Sequence, residues 1–122
     1  MPASILIADD DAVMLGLYSR MFAGKGYHIS MAASFTEASG LLGAKDYDLL
    51  ITDFMFNDGI GTELVRLFHE KKRKAKAAAR SVMVTGYPSA PGRARCPDVS
   101  AYFEKPFKIE DLLKTVREVL SD

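Results

Sequence analysis

Two kinds of hydrophobic pattern alternate along the chain. Four short runs are almost continuously apolar: Ser4 to Ala8 (SILIA), Asp48 to Thr52 (DLLIT), Ser81 to Thr85 (SVMVT) and Ala101 to Phe103 (AYF). Runs this short, rich in β-branched or aromatic residues, predict strands buried on both faces. A weaker run, His28 to Ala32 (HISMA), follows the turn signalled by Gly24 and Gly26 and predicts a fifth strand. Between the runs the apolar residues recur at helical spacing. Val13, Leu17 and Met21 form one stripe with Met14, Tyr18 and Phe22 alongside. Ala38, Leu41 and Leu42 form a second, Leu64, Val65, Leu67 and Phe68 a third, and Ile109, Leu112, Leu113, Val116 and Leu120 the last.

A strand-helix alternation of this kind predicts a parallel sheet with helices on both faces. One unit departs from it. After Thr85 the chain reads GYPSAPGRARCPD, with Pro88, Pro91, Gly92 and Pro97 where a helix is due. Proline removes a backbone donor and clashes inside a helix, so the segment from Gly86 to Asp98 is expected to hold a turn or two at most and to be largely irregular.

Composition narrows the class. The 122 residues fit one domain without internal repeats or linkers, and 48% hydrophobic with 26% charged residues excludes a disordered chain. The single Cys96, in a loop, excludes an intrachain disulfide. Sixteen Lys and Arg balance sixteen Asp and Glu, so no overall field draws the chain to nucleic acid or anionic lipid. No apolar run approaches the ~18 residues that span a bilayer. The start, MPASILIADDD, lacks the basic region of a secretory signal, and a cytoplasmic protein is expected. The basic run Lys71 to Arg80 reads as cations complementing the end of a helix, not as a nucleic-acid patch. His28 and His69 have no partner at metal-ligand spacing and read as surface residues.

The chemistry gathers at one edge. In an open α/β sheet, sites lie outside the carboxyl ends of the strands. There Asp9, Asp10 and Asp11 follow the first strand, Asp53 ends the third, Thr85 ends the fourth and Lys105 follows the fifth. Each has a plain alternative: helix capping for the acidic triplet, a turn for Asp53, ordinary strand packing for Thr85. Asp11 is assigned to the cap. Together, however, crowded carboxylates call for a compensating cation, and oxygen ligands without His or Cys favour Mg²⁺. A carboxylate beside that ion can take up a phosphoryl group, with Lys105 and the Thr85 hydroxyl serving its oxygens.

The stretches ILIADDD, DLLITDFMFNDGIG, VMVTG and YFEKPF, in this order, resemble the receiver domain of two-component response regulators over the whole length. That resemblance implies a flavodoxin-like (βα)5 doubly wound parallel sheet of strand order 2-1-3-4-5, here with a shortened or irregular fourth helix, and one receiver domain over residues 1–122. It implies that Asp53 is the phosphoacceptor and that Mg²⁺ is held by Asp9, Asp10, Asp53 and the Met55 backbone carbonyl. Thr85 and Tyr102 become switch residues, and Lys105, before a cis Pro106, pairs with the phosphorylated side chain. Met55 and Tyr87 stand where side chains tune the acyl-phosphate lifetime, and both are bulky and without an acid or amide to hold water. The implied donor is a phosphohistidine on a sensor histidine kinase or phosphotransfer protein, and the output a downstream partner. The chain is expected to be a monomer or weak dimer without direct nucleic-acid or membrane contact. It is also expected to be no enzyme in the ordinary sense, but a phosphoacceptor that assists its own phosphorylation and dephosphorylation.

Two departures from the family pattern stand out. Asn57 occupies the place four residues after Asp53 where the family usually has proline, within a turn that Asn, Asp and Gly also make well. The interrupted fourth helix puts the usual output and dimer face in question. Competing readings are a degenerate receiver used as a docking module, an FMN carrier and an aspartyl-phosphate hydrolase. The second lacks a phosphate loop after the first strand, and the third lacks an acid at Met55.

Overall fold

The structure, a computed structural model, describes residues 2–86 and 98–121. In chain order its elements are β1 (Ser4–Ala8), α1 (Ala12–Phe22), β2 (His28–Ala32), α2 (Phe35–Ala44), β3 (Leu49–Asp53), β4 (Met55–Phe56), β5 (Gly59–Ile60), α3 (Gly61–Lys74), β6 (Ser81–Thr85), β7 (Ala101–Glu104) and α4 (Ile109–Leu120). Five strands form one parallel sheet in the order β2-β1-β3-β6-β7. Counted along the chain without the separate β4-β5 hairpin, this is the expected 2-1-3-4-5. The expected irregular helix, with Pro88, Pro91, Gly92, Cys96 and Pro97, lies outside the described residues, as does Tyr87.

Period-two alternation in the central strands builds two cores, because successive side chains point to opposite faces. Leu6 and Ala8, with Leu50 and Met83, pack under Ala38 and Leu42 of α2 and Leu64, Val65 and Phe68 of α3. Ile5 and Ile7, with Leu49, Ile51, Val82 and Val84, pack under Tyr18 and Phe22 of α1 and Leu112 and Val116 of α4. Burial on both faces is why these runs carry almost no polar residue, each buried aliphatic side chain contributing about 1.5–3 kcal/mol. β2 is an edge strand and half-exposed along most of its length, which accounts for its mixed sequence.

The helix ends show how local sequence stops and starts each element. Asp11 caps α1, its Oδ1 accepting the Val13 N–H at 2.9 Å, as the sequence suggested. Ser34 caps α2 by accepting the Glu37 N–H at 3.0 Å, and Glu37 Oε1 accepts the Ala33 N–H at 2.6 Å. The basic run does more than complement its own helix. Lys71 Nζ donates to the carbonyls of Leu42 at 2.6 Å and Lys45 at 2.7 Å, satisfying groups at the end of α2. His69 is half-buried and not a plain surface residue, because α3 lays it beside the start of β6, 3.4 Å from Ser81 Oγ. Burial lowers its pKa, partly offset by Asp98.

Tyr47 is buried with the core under α2 and α3, and its hydroxyl has no hydrogen-bond partner among the described residues. An unsatisfied buried donor costs about 1–3 kcal/mol. Tyr47→Phe should therefore leave the fold no less stable, and raise its unfolding free energy, read from urea unfolding, by up to that amount.

Candidate functional site

Strand register brings the acidic residues to one height. Ala8 of β1 sits beside both Ala32 and Thr52, so Asp9 and Asp53, each one position further on, leave neighbouring strands together. The ladder continues past β1, where Asp9 N–H donates to the Ala32 carbonyl at 3.0 Å, and past β7, where Lys105 N–H donates to the Thr85 carbonyl at 2.7 Å. Main-chain bonds thus fix the backbone of both charged residues independently of their side-chain contacts. The Lys105–Pro106 peptide is cis.

Asp9, Asp10 and Asp53 each offer a carboxylate oxygen, and these oxygens lie within 4.8 Å of one another. Lys105 Nζ donates to Asp9 Oδ2 at 2.9 Å and to Asp53 Oδ2 at 3.2 Å. The other oxygens are held by the backbone: the Asp11 N–H reaches Asp9 Oδ1 at 2.9 Å, and the Phe54 N–H reaches Asp53 Oδ1 at 2.7 Å. The Asn57 N–H reaches across to Asp10 Oδ2 at 3.2 Å.

One ammonium faces three carboxylates. Asp9 is only 1% exposed, and burial pushes its pKa above the ordinary range, against the lowering pull of the Asp11 N–H and Lys105; Asp53 adds to the rise. Burial also pulls Lys105 down, but Asp9 and Asp53 outweigh it and hold the ammonium above its usual value. The two ends of the ion pair therefore tell different stories. Lys105 is over-supplied with negative charge, while its single positive charge does not offset the desolvation of Asp9. Tyr18, buried beneath the cluster, is raised by burial and by the charges of Asp9 and Asp53.

This donor set suits a small hard dication. Mg²⁺ takes oxygen ligands at ~2.1 Å in octahedral geometry, which sets neighbouring and opposite ligands roughly 3–4 Å apart, within the spread of these three carboxylates. Asp9, Asp10 and Asp53 are the side chains that could hold it.

Three further sequence candidates fall among the described residues, and Tyr87 lies outside them. Thr85 is buried at the end of β6, one residue beyond Val84, the register partner of Asp53. Tyr102 pairs in register with Met83 and packs, half-buried, against the core under α2 and α3. Met55 opens the β4-β5 hairpin next to the site and is 43% exposed.

Sequence reading missed three features. The hairpin strands are two residues each, too short for periodicity to mark. The Asn57 donor is main-chain and has no signature except that the residue is not proline. Gly61 is the third: a Cβ there would lie 1.9 Å from the Asp53 carbonyl oxygen, so the first turn of α3 presses directly on the backbone of Asp53. Its N–H donates to the Phe54 carbonyl at 2.7 Å.

The Response regulator receiver domain family matches residues 5–117 of the chain. Among curated proteins, the uncharacterized transcriptional regulatory protein YkoG of Bacillus subtilis is 27% identical over 95% of this chain and 50% of its own length. The chain spans about half the length of the curated relatives it matches first. Among solved structures, a CheY-like response regulator receiver domain protein from Methanospirillum hungatei is 27% identical with a TM-score of 0.88, covering 99% of this chain and 95% of that one. Response regulator protein TrrA from Thermotoga maritima, in complex with Mg²⁺-BeF, shares the fold at a TM-score of 0.84 and 24% identity, covering 98% of this chain and 99% of that one.

Two glycines test the packing around the cluster. Gly61→Ala should destabilise the fold by roughly 1–3 kcal/mol, since helix and strand must separate to admit the methyl group. Gly40, inside α2 with open space at its Cβ position, gives the opposite sign: Gly40→Ala should stabilise by about 0.5–1 kcal/mol. Urea unfolding of the two variants reads both changes.

Proposed function

Because the chain belongs to the family of response regulator receiver domains, we propose that it accepts a phosphoryl group from a phosphohistidine onto Asp53 and changes its partner-binding surface in response. The observation that carries this is the gathering of the Asp9, Asp10 and Asp53 carboxylates within 4.8 Å of one another, with the Lys105 ammonium 3.2 Å from Asp53. An oxygen of the Asp53 carboxylate attacks phosphorus, and the phosphorus–nitrogen bond of the donor breaks. The bonding pair returns to the imidazole nitrogen, which takes a proton from solvent, and Asp53 becomes an acyl-phosphate.

The chain's own residues prepare this step. The Phe54 N–H and Lys105 hold the Asp53 carboxylate in one orientation, so little reorganisation is needed when charge moves. After transfer, Lys105 pairs with the new phosphoryl charge. Mg²⁺, held by Asp9, Asp10, Asp53 and the Met55 carbonyl, would supply the remaining positive charge. The Mg²⁺-BeF complex of the Thermotoga relative supports that reading. Thr85 then turns its hydroxyl to a phosphoryl oxygen, and Tyr102 moves inward from its half-buried place, altering the face that a target reads.

On this reading residues 1–122 are one receiver domain that works in the cytoplasm as a monomer or weak dimer. It is a phosphoacceptor that assists its own chemistry, not a classical enzyme. A sensor histidine kinase or phosphotransfer protein supplies the phosphoryl group and a separate target receives the signal. The domain itself contacts no nucleic acid. Among the described residues no helix is long and apolar enough to cross a membrane. The docking-module alternative gains no support, since Asp9, Asp10, Asp53, Thr85 and Lys105 are all present.

Incubation with Mg²⁺ and acetyl phosphate should add one phosphoryl group by mass spectrometry, and Asp53→Asn should abolish the addition. Undiminished labelling of that variant overturns the assignment. The lifetime of the acyl-phosphate follows from Met55, which shields it without holding a water molecule in line; Tyr87, the other lifetime position, is outside the described residues. Met55→Asn should speed decay of phosphorylated Asp53 by roughly tenfold, about 1.4 kcal/mol of barrier. Decay at the parent rate would show that Met55 does not set the lifetime.

A further inference from the structure

The three carboxylates are not held alike. Asp9 and Asp53 each accept an N–H from one or two residues along the chain and share Lys105. Asp10 is exposed, and its carboxylate makes one hydrogen bond among the described residues, to the Asn57 N–H, 47 positions away. That donor sits in the turn between β4 and β5, and the turn is fastened on both sides.

On one side Asp58 accepts three hydrogen bonds from the start of α2. Oδ1 takes the Phe35 N–H at 2.9 Å, and Oδ2 takes the Thr36 N–H at 3.0 Å and the Thr36 hydroxyl at 2.7 Å. These bonds, led by that of the Thr36 hydroxyl, hold the Asp58 carboxyl below its usual pKa, so it stays ionised across the neutral range. Gly59 lies against the Phe35 ring so closely that a Cβ would come within 2.3 Å, and Phe56 meets the same ring edge-on at 6.5 Å. On the other side the Gly61 N–H holds the Phe54 carbonyl. With both flanks fixed, the direction of the Asn57 N–H is fixed as well.

We propose that the β4-β5 hairpin is a positioning device for Asp10: the Asn57 main-chain N–H orients the Asp10 carboxylate toward the other two acids, and Asp58 keeps that donor in place by gripping the first turn of α2. The inference rests on the cation-dependent phosphoacceptor reading and deepens it. Occupying Oδ2 leaves Oδ1 of Asp10 free for a cation, so a carboxylate that would otherwise sample several rotamers meets the ion already ordered. It also gives the non-proline residue at position 57 a physical role, because proline has no N–H to donate.

The test separates donor from side chain. Asn57→Ala keeps the N–H and Asn57→Pro removes it. Asp58→Ala removes the grip on α2 without touching Asp10, and Asp58→Asn keeps one acceptor oxygen. Mg²⁺ affinity is measured by calorimetry on each chain, and folding is checked by urea unfolding in EDTA. The Mg²⁺ concentration for half-maximal labelling by acetyl phosphate is compared with the labelling rate at saturating Mg²⁺.

Asn57→Pro and Asp58→Ala should each weaken Mg²⁺ binding by about tenfold and shift the half-maximal concentration equally, with the saturated rate unchanged. Asn57→Ala should match the parent, and Asp58→Asn should fall between. Equal affinity of Asn57→Pro and Asn57→Ala overturns the proposal, as does an Asp58→Ala chain that binds like the parent. If the parent itself binds no Mg²⁺, the cation reading falls and this inference falls with it; if the parent binds and the variants do not differ, only the inference falls.

Discussion

Three carboxylates and one ammonium meet at the carboxyl edge of the sheet, and the rest of the site is arranged around that imbalance. Asp9 is almost wholly removed from water, yet the single charge of Lys105 does not bring its pKa down to the ordinary range. Burial of a carboxylate on these terms lowers stability, and it persists because the surrounding backbone fixes it: the Asp9 N–H is committed to the β2 ladder and its side chain to the Asp11 N–H. The cluster is an acceptor for positive charge. A small hard dication would answer it by charge.

The scaffold delivers this geometry through register more than through side-chain contacts. Parallel pairing of β1 with β3 sets Ala8 beside Thr52, and Asp9 and Asp53 follow from that single alignment. Pairing of β6 with β7 sets Thr85 beside Glu104 and Lys105 just past it. A slip of one residue in either pair would turn the same side chains to the opposite face, which the two apolar cores forbid. Stability and chemistry therefore share one cause: the alternation that buries Ile5 and Ile7 on one face and Leu6 and Ala8 on the other also fixes where the acids emerge.

Much of this was legible in the sequence because burial on both faces leaves a strong trace. The runs SILIA and SVMVT have the observed bounds of β1 and β6, and HISMA those of β2. β3 is shifted by one, starting at Leu49 and including Asp53, and β7 extends to Glu104, since the polar strand ends carry no periodicity. The side chains of the cluster were visible as residue types at strand ends. Their restraints were not: the N–H groups of Asp11, Phe54 and Asn57 are main-chain donors that every residue but proline possesses, and only the fold shows which ones aim at a carboxylate. For the same reason Lys71 read as a charge in a basic run, when its partners are carbonyls at the end of another helix.

Whether the acidic cluster lacks positive charge in the folded chain is read most directly from the unfolding free energy as Mg²⁺ is raised at constant ionic strength. Binding to the folded state alone raises stability with the logarithm of concentration, reaching roughly 2.7 kcal/mol at a hundredfold excess over the dissociation constant. A cluster short of positive charge gives that rise with Mg²⁺ and none with sodium chloride of equal ionic strength. Identical curves for the two salts would contradict it.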